Sequence, residues 1–438
     1  MPSPPLTRRG SVAEPSPPLT RRGFIAGALG VGAAALAAGG VSALGGCASS
    51  AEQQLEELVS KSVKDKDIVT LTVAADQVVE ATEFEEAPFE DYLTLQGTYE
   101  LPLGSLVHQM DSSLALVLLP GEEGESLRKI GTLNLSSGAV STVVSEPVAT
   151  GKNVVIYDAR ASRSRLIWVE FDLGEQSWRT YVMPLEASST QNAQMVEEGS
   201  VDFEPPMLAA AGDKVYWTAM PTATGAQALT DSYLKAFGSF GQNGSSSSGQ
   251  TAAASGESYT VFTSHGRMIT NPLVSDGIVT FVPRVDTTNI YYQLTALNCS
   301  DDKPVDFQIL PQSMRVSDAV YLRDAFAFAI EGNYTYADGL SRFGTYRPLE
   351  DGTYLHIGRP PSGPAVYFKG CLVVKSTLNI VGFDPIGRRS FVIETPPRCS
   401  DFGEALVGWG VQDRIVTTSL RLAEDKSRAE ATTVRVFA

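Results

Sequence analysis

The sequence contains few of the side chains that carry most enzyme chemistry. Among its 438 residues are three histidines and four cysteines. Each histidine stands alone in its local sequence, at His108, His265 and His356. There is no Gly-x-Ser-x-Gly elbow, no His-Glu-x-x-His pair, no EF-hand loop and no P-loop. We therefore predict no catalytic residue, no metal ligand and no cofactor from local motifs. A pair of carboxylates brought together by the fold stays open, because its separation is set in three dimensions.

Basic residues are also scarce. The chain has 34 Lys and Arg against 50 Asp and Glu, which gives a formal net charge of −16. Without the first 46 residues, which hold four arginines and one glutamate, the charge is about −19. A protein this acidic and without a basic stripe repels polyphosphate, so we predict no nucleic-acid partner. Anionic lipid headgroups repel it for the same reason.

The N-terminal segment has the parts of a bacterial export signal. Arg21 and Arg22 precede an apolar run at 24–44, which ends in Leu44-Gly45-Gly46-Cys47. The arginine pair followed by Gly-Phe resembles the twin-arginine (Tat) motif. The last four residues resemble a lipobox, where a diacylglycerol is attached to the cysteine and the chain is cut before it. We predict a signal peptide at 1–46 and lipidation of Cys47. The protein would then be held in the bilayer by its acyl anchor, at the outer face of the cytoplasmic membrane or in the cell envelope.

An uncleaved transmembrane helix is the alternative, since 21 uncharged residues can span a bilayer. Fourteen of those residues are Ala, Gly or Ser, so the gain from burying the helix in lipid is small. The nine residues 15–23 repeat 2–10 word for word, but only the second copy leads into the apolar run. The true start codon is therefore open. Residues 47–67 are predicted to be the lipidated cysteine and a polar spacer.

From residue 68 onward the chain is typical of an all-β protein. Short segments rich in Val, Ile, Thr and Tyr alternate at period two and are bounded by Gly, Pro, Asp or Asn. The clearest predicted strands are 114–119, 153–157, 166–171, 214–218, 277–284, 290–297, 325–330, 372–376 and 414–419. Convincing helical periodicity is missing. Many short, evenly spaced strands indicate a sandwich, barrel or propeller.

A repeated turn favours the propeller. An apolar residue followed by Asn or Asp starts a turn at Asn134, Asp172, Asn298 and Asp384. The separations are close to one, three and two copies of a unit of about 42 residues, the period of a propeller blade. Seven hairpin units then fit the chain, at 101–144, 146–185, 201–264, 268–310, 313–357, 364–395 and 399–437, with 68–73 as a candidate closing strand. Six or eight blades, or two β-sandwich domains, are the alternatives. A Ser/Gly/Ala/Gln-rich insertion at 238–258 predicts a flexible loop within one hairpin.

The chain resembles uncharacterised Tat-pathway signal lipoproteins that have a TolB-like or dipeptidyl-peptidase-like β-propeller body. The resemblance is carried by Arg21-Arg22, by Cys47, and by stretches such as 266–270, 291–295 and 373–377. It implies export and a propeller at 68–438, and it implies no particular activity.

The remaining cysteines and the tryptophans have structural interpretations. Cys371 and Cys399 fall in neighbouring predicted units, so a disulfide between them is one alternative and three buried free thiols, with Cys299, the other. The four tryptophans are predicted to pack between blades rather than to form a carbohydrate platform. They are Trp168, Trp178, Trp217 and Trp409.

Binding is the function that this pattern favours. A propeller face can present aromatic and polar side chains from many blades, and here tyrosines are available at 291, 292, 334, 336 and 346. We predict a non-catalytic protein that binds a peptide, a glycan or an envelope protein outside the cytoplasm. A carboxylate-dependent hydrolase of the glycoside type, with its site at the propeller axis, is the alternative. A histidine with carboxylates, or several carboxylates, at the axis would favour the hydrolase.

Overall fold

The computed structural model describes residues 68–122, 126–187, 189–222, 230–238, 256–332, 338–358 and 363–438. The predicted signal, Cys47 and the spacer lie outside this range, as do most of the 238–258 insertion, Tyr334 and Tyr336. The helices of the described residues are 3₁₀ turns, and none is long or apolar enough to cross a membrane. They are Ala75–Gln77, Ala81–Glu83, Phe89–Asp91, Thr190–Asn192 and Asp338–Leu340.

Almost all other regular structure is β. Six sheets each contain four consecutive antiparallel strands from one continuous stretch of chain. Sheet 1 has β4 (Leu106–Gln109), β5 (Leu114–Pro120), β6 (Leu127–Asn134) and β7 (Val140–Val144). Sheet 2 has β8 (Val154–Ala161), β9 (Arg165–Asp172), β10 (Ser177–Pro184) and β11 (Gln194–Gly199). Sheet 3 has β12 (Leu208–Ala211), β13 (Lys214–Ala219), β14 (Ser232–Gly238) and β15 (Glu257–Ser264). Sheet 4 has β16 (Leu273–Ser275), β17 (Ile278–Phe281), β18 (Gln293–Asn298) and β19 (Pro304–Ile309).

Sheets 5 and 6 continue the series and each take up further strands. Sheet 5 has β20 (Arg315–Leu322), β21 (Ala325–Gly332), β22 (Gly344–Pro348) and β23 (Tyr354–Ile357), with β1 (Val78–Glu80) parallel to β23. Sheet 6 has β24 (Val366–Phe368), β25 (Cys371–Lys375), β26 (Ile380–Asp384) and β27 (Arg389–Ile393). In addition, β2 (Glu85–Glu86) lies parallel to β27, and β29 (Gly410–Val411) lies parallel to β24.

Sheet 7 is composite. Its strand order is β28 (Ala405–Leu406), β30 (Ile415–Leu422), β31 (Ala429–Phe437) and β3 (Leu95–Leu101). The six continuous meanders correspond to the first six predicted units. The seventh predicted unit, 399–437, is not a meander of its own, because β29 leaves it for sheet 6 and β3 supplies its outer strand. The predicted closing strand at 68–73 is wrong, and the closing strand is β3.

Apolar side chains join each sheet to the next in a ring. One buried cluster lies at each junction from sheet 1 to sheet 7, and a further cluster joins sheet 7 back to sheet 1. The last cluster packs Val416 and Val434 of sheet 7 against Val107 and Val117 of sheet 1. Successive side chains of a strand point to opposite faces of its sheet. Here both faces of each sheet are covered by neighbouring sheets. The arrangement is a β-propeller, as the sequence predicts.

The segment 71–101 runs along the outer edges of four successive sheets, and we call it the outer strap. Leu71 N–H donates to the carbonyl of Ile309 at the end of β19, and β1, β2 and β3 then pair with sheets 5, 6 and 7. Unpaired edge strands are sites of unwanted association. The strap covers these edges.

The predicted Asn and Asp turns are present at all four positions. The side chains of Asn134, Asp172 and Asp384 each accept hydrogen bonds from the backbone N–H groups two and three residues later in the chain. Asn298 accepts one from the backbone N–H two residues later. Asn134, Asn298 and Asp384 all lie between the third and fourth strands of their sheets, whereas Asp172 lies between the second and third. The spacing that includes Asp172 is therefore not a blade period.

Candidate functional site

The centre of the ring is crossed by residues 407–412, which we call the axial segment. The carbonyl of Val407 accepts a hydrogen bond from Gln109 N–H in sheet 1. The indole N–H of Trp409 donates to the carbonyl of Val274 in sheet 4 at 3.0 Å, and β29 pairs with β24 in sheet 6. The strand β29 also contacts β20 of sheet 5. A segment that touches the first strands of sheets 1, 4, 5 and 6 crosses the centre of the ring, so it occupies part of the axis at this level.

Beside the axial segment lies a histidine–carboxylate pair. His108 Nε2 in β4 is 3.7 Å from Asp158 Oδ1 in β8. The guanidinium of Arg160 donates to the same carboxylate at 2.5 Å, and its central carbon is 5.6 Å from the Trp409 ring centroid. A register shift next to Asp158 interrupts the pairing of β8 with β9, and such bulges re-aim side chains. Asp318 follows an equivalent shift in β20 of sheet 5. An imidazole held by a carboxylate is one part of a general-base arrangement.

The other two histidines lie elsewhere. His265 Nδ1 is 3.4 Å from Asp231 and both side chains are partly exposed. His356 is buried, with Nδ1 2.9 Å from Glu80 of the outer strap and Nε2 3.0 Å from the carbonyl of Phe343. The three histidines therefore do not meet, and each has a carboxylate partner from a distant part of the sequence. Among the described residues, no group of three or more His, Cys, Asp or Glu side chains is placed to hold a metal ion.

Most of the aromatic residues singled out in the sequence are packing residues. Trp168, Trp178 and Trp217 are buried in the clusters between sheets 1, 2 and 3, as predicted. Trp409 differs because it is half-buried in the axial segment. Tyr346 is fully buried, so the proposal that it is available on a propeller face is wrong. Tyr291 and Tyr292 are half-buried beside the clusters that join sheets 3, 4 and 5.

A cleft of about 370 Å³ lies between the end of sheet 6 and the face of sheet 7. Its lining combines apolar, hydroxyl-bearing and charged side chains with one thiol, and we call it the rim cleft because β3 and the outer strap form one side. The lining residues are Phe89, Leu95, Thr98, Glu100, Glu394, Thr395, Pro396, Pro397, Cys399, Ser419, Arg421, Thr433 and Arg435. Sheet 7 turns an apolar face toward sheet 1 and a face with both apolar and polar side chains toward sheet 6.

A buried ion pair forms the floor of the rim cleft. The Arg435 guanidinium donates from both Nε and Nη2 to the Glu404 carboxylate, and Nη2 also donates to the carbonyl of Glu394 at 2.6 Å. The Thr417 hydroxyl donates to Glu404 at 2.7 Å. Glu404 is 2% exposed and Arg435 8% exposed. The floor is therefore fixed, because a bidentate pair in a buried site has one geometry.

The mouth of the rim cleft carries more loosely held charge. Arg421 lies 2.8 Å from Glu100 of β3 and donates to Glu430 at 2.8 Å. Both acids are partly exposed. Such groups can exchange a protein partner for a ligand at little cost, since exposed ion pairs are worth about 0–1 kcal/mol.

Cys399 lies in the rim cleft and is half-buried. Burial raises the pKa of its thiol, and the nearby Glu404 carboxylate acts in the same direction. Cys371 is buried in the cluster between sheets 6 and 7, where burial raises its pKa to about 11. Both are free thiols, whereas the sequence left a disulfide between them open. Cys299 is a buried free thiol as well.

The fold is similar to that of peptidase propellers. One matching structure is a prolyl endopeptidase, with 12% identity over 77% of this chain and 47% of that chain, and a TM-score of 0.44. A second is the Pyrococcus horikoshii acylaminoacyl peptidase, with 11% identity over 81% and 53% of the two chains and a TM-score of 0.41. A third is the β-propeller domain of the Trilobed protease from Pyrococcus furiosus, with 10% identity over 62% and 79% and a TM-score of 0.38.

This chain spans about half the length of the first two of these structures. No protein-family model matches the sequence, and no curated protein is similar to it. At this level of similarity, the propeller assignment rests on the sheets and the apolar clusters of the chain itself.

Proposed function

We propose that the chain is an exported, lipid-anchored β-propeller that binds a ligand in the rim cleft. Export and anchoring follow from Arg21, Arg22 and Cys47. We further propose that sheet 7, though composite, acts as a seventh blade. Counting only the continuous four-stranded meanders gives six blades. A binding site would form between sheets 6 and 7 because sheet 7 is assembled from separate parts of the chain.

The mixed polar and apolar lining of the rim cleft is the observation that carries the binding proposal. An apolar cluster joins sheets 6 and 7 as it does the other sheets, and beside it hydroxyls, two arginines and two acids line an accessible volume of about 370 Å³. Sites for small ligands combine apolar walls with a few fixed polar groups. Pro396, Pro397 and Phe89 would be the walls, and Arg421 and the hydroxyls would select an occupant. A short peptide segment or a sugar unit has the matching size and polarity.

Filling the cleft tests this function. Thr98 lines the cleft on β3, and Gln96 lies two residues away on the same exposed strand without lining it. Full-length protein would be screened on peptide and oligosaccharide arrays. We expect at least one ligand to bind the wild type and Gln96→Trp, and to be lost in Thr98→Trp because the indole occupies the cleft. Equal binding by Thr98→Trp would show that the cleft is not the site.

A hydrolase is the second candidate, and the His108–Asp158 pair beside the axial segment favours it. A histidine with a carboxylate at the axis is the arrangement that catalysis there would need. Against it, Arg160 already neutralises Asp158, and the axial segment fills the neighbouring space. Assays with glycoside, peptide and ester panels separate the two functions. We expect no turnover, and turnover abolished by Asp158→Asn would establish the hydrolase.

A further inference from the structure

Arg347 is a buried arginine whose charge is poorly compensated. It lies in β22 and is 8% exposed. Its nearest hydrogen-bond acceptor is the carbonyl of Leu322 at 3.4 Å, and its Nε has no hydrogen-bond partner. The closest carboxylate, Asp324, is 3.9 Å away on a side chain that is 83% exposed. A buried charge without close partners costs several kcal/mol, so it needs an explanation.

The other buried arginines of the described chain differ. Arg160 donates to Asp158 at 2.5 Å, and Arg435 donates twice to Glu404. Arg284 donates from two nitrogens to the carbonyl of Asn289, at 3.1 and 3.3 Å. Arg347 has the longest hydrogen bond of this set, and unlike Arg160 and Arg435 it has no carboxylate of the described residues within hydrogen-bond distance.

A second guanidinium makes the environment of Arg347 less favourable still. The central carbons of Arg347 and Arg323 lie 4.9 and 4.8 Å from the centroid of the Tyr367 ring. The ring faces attract both cations but leave their N–H donors unsatisfied. Burial lowers the pKa of Arg347, and the charge of Arg323 acts in the same direction, while Asp324 and Glu350 act in the opposite one. Two cations beside one ring, in a chain of net charge −16, are a local concentration of positive charge that an anion would complement.

The site lies at the junction of sheets 5 and 6, next to the axial segment. Arg323 is exposed and lies in the turn between β20 and β21. Its φ of 62° is in the left-handed region, so its backbone is not that of a strand. Tyr367 lies in β24, and its carbonyl accepts a hydrogen bond from Gln412 N–H of the axial segment. The site is thus separate from the rim cleft, which lies between sheets 6 and 7.

We propose that Arg323, Tyr367 and Arg347 form a binding site for a carboxylate group. A guanidinium presents two parallel N–H donors that match the two oxygens of a carboxylate. The neighbouring acids Asp324 and Glu350 lie close enough to act on Arg347, so a ligand with one negative charge is repelled less than a phosphate dianion. The carboxylate can belong to a free organic acid or to the C-terminus of a peptide, and the two sources share this chemistry.

Ligand-dependent melting of the full-length protein tests the site. The probes are acetate, the tripeptide Ala-Ala-Ala with a free carboxylate, the same tripeptide as its C-terminal amide, and inorganic phosphate, with chloride at equal ionic strength as the reference. We expect the free tripeptide or acetate to raise Tm, and the amide and phosphate to have little effect. A response to acetate and tripeptide alike indicates any organic acid, and a response to the tripeptide alone indicates a peptide C-terminus.

Two variants assign the effect to the arginines. Arg347→Met keeps the length of the side chain and removes its charge, so binding should weaken at least about tenfold, the effect of losing roughly 1.4 kcal/mol. Without ligand, the Tm of this variant should equal or exceed that of the wild type, because an uncompensated buried charge is gone. Arg323→Met, at an exposed position, should also weaken binding and keeps the test valid if the first variant does not fold. Arg315→Met, on β20 and partly exposed, is the matched control and should bind normally.

The proposal fails if no carboxylate raises the Tm of the wild type. It also fails if Arg347→Met lowers the Tm while the response to carboxylate persists, since Arg347 would then be structural. A response to phosphate that exceeds the response to the tripeptide would contradict the ligand class.

Discussion

Arg435 and Glu404 are the two residues of the rim cleft whose loss should cost most stability. Both are buried, and each satisfies the other with two hydrogen bonds. Removing one partner leaves a buried charge uncompensated, which costs about 3–5 kcal/mol. We therefore expect Glu404→Ala to lower the free energy of unfolding by about 3 kcal/mol, as measured by urea denaturation.

The matched control for this variant is Glu100→Ala. Glu100 pairs with Arg421 in the same cleft, but its side chain is 57% exposed. Its loss should cost less than about 1 kcal/mol, because solvent screens exposed pairs. The double variant Glu404→Leu with Arg435→Met should recover most of the lost stability. Equal costs for Glu404→Ala and Glu100→Ala would contradict the burial argument.

A buried network between sheets 3 and 4 should make the protein sensitive to alkali. Asp302 accepts hydrogen bonds from Lys214 at 2.7 Å, Tyr259 at 2.8 Å and Tyr216 at 3.2 Å. Burial raises the pKa of both tyrosines, and it raises that of the neighbouring Cys299 to about 12. These groups stay protonated in the folded protein at a pH where the unfolded chain has lost its protons, so stability falls as pH rises.

The pH window follows from the unfolded values. A cysteine in an unfolded chain titrates near about pH 8.5 and a tyrosine near about pH 10. Urea unfolding should therefore give constant stability around neutrality and a loss of about 1.4 kcal/mol per pH unit for each group beyond its unfolded pKa. Cys299→Ala should reduce the part of the loss that starts at the lower pH, to which the buried thiols of Cys371 and Cys399 also contribute. A stability that is constant up to about pH 10.5 would contradict this prediction.

Single residues were the hardest features to predict from the sequence. Each histidine has its carboxylate partner far away in the chain: Asp158 for His108, Asp231 for His265 and Glu80 for His356. No local spacing encodes such a pair. The charge of Arg347 is poorly compensated because no carboxylate of the described chain lies within hydrogen-bond distance of it. The local sequence around Arg347 does not indicate which distant side chains will lie near it.

At the scale of elements, β3 is the strand that the ring needs most. Tyr99 fixes it, since its ring packs into the cluster between sheets 7 and 1 and its hydroxyl donates to the carbonyl of Leu135 at 3.2 Å. We expect Tyr99→Ala to destabilise the protein by about 2 kcal/mol, less than the cost for a fully buried aromatic residue. Hydrogen exchange of β31 amides should become faster, because β31 becomes an edge.

Thr98→Ala is the control for Tyr99→Ala. Thr98 is adjacent in sequence, but its side chain points to the opposite face of the strand and is exposed. It should leave exchange in β31 unchanged. If both variants, or neither, accelerate exchange, the Tyr99 contact is not what holds β3.

The insertion in sheet 3 should be removable. Gly238 at the end of β14 pairs with Glu257 at the start of β15, so the two strand ends are already adjacent. Replacing residues 239–255 with Asn-Gly should change the free energy of unfolding by less than about 1 kcal/mol, because loop-closure entropy varies slowly with length. Thermal melting measures this, and a loss of several kcal/mol would mean that the insertion contributes packing. The predicted flexibility of 238–258 stays a prediction.

Elements were predicted well from the sequence, and their assembly less well. The nine clearest predicted strands are present within a few residues, because alternation and turn residues act locally. The single hairpin predicted around the insertion is confirmed, because β14 pairs with β15. The strap strands β1, β2 and β3 were missed or misplaced, since they pair with segments roughly 270 to 340 residues away. Nothing in Leu95–Leu101 itself indicates which edge it will join.

At the scale of the whole molecule, the proposed lipid anchor can be tested by changing a single residue. The Cys47 sulfur is the proposed site of the acyl chain, so Cys47→Ala should abolish incorporation of labelled fatty acid and release the protein from membranes or leave its signal uncut. Cys399→Ala is the control and should be labelled normally, because that thiol is within the folded body. Labelling of Cys47→Ala at the wild-type level would contradict the lipoprotein proposal.

The export route has its own test. Replacing Arg21 and Arg22 together with Lys keeps the charge but loses the planar guanidinium groups that the twin-arginine receptor is expected to read. We expect export to stop, as measured by fractionation of cells. Unchanged export would indicate the route that carries unfolded chains.

The pairing of β3 with β31 also determines when the protein can finish folding. Six meanders contain their own contacts and can form as each stretch of chain is made. Sheet 7 cannot, because Leu95–Leu101 must wait for Ala429–Phe437. A growing chain is therefore an open arc with an unpaired strand at either end, and it stays exposed to aggregation until synthesis reaches the last strand. Truncations that remove β31 should accumulate as such arcs, whatever the protein binds.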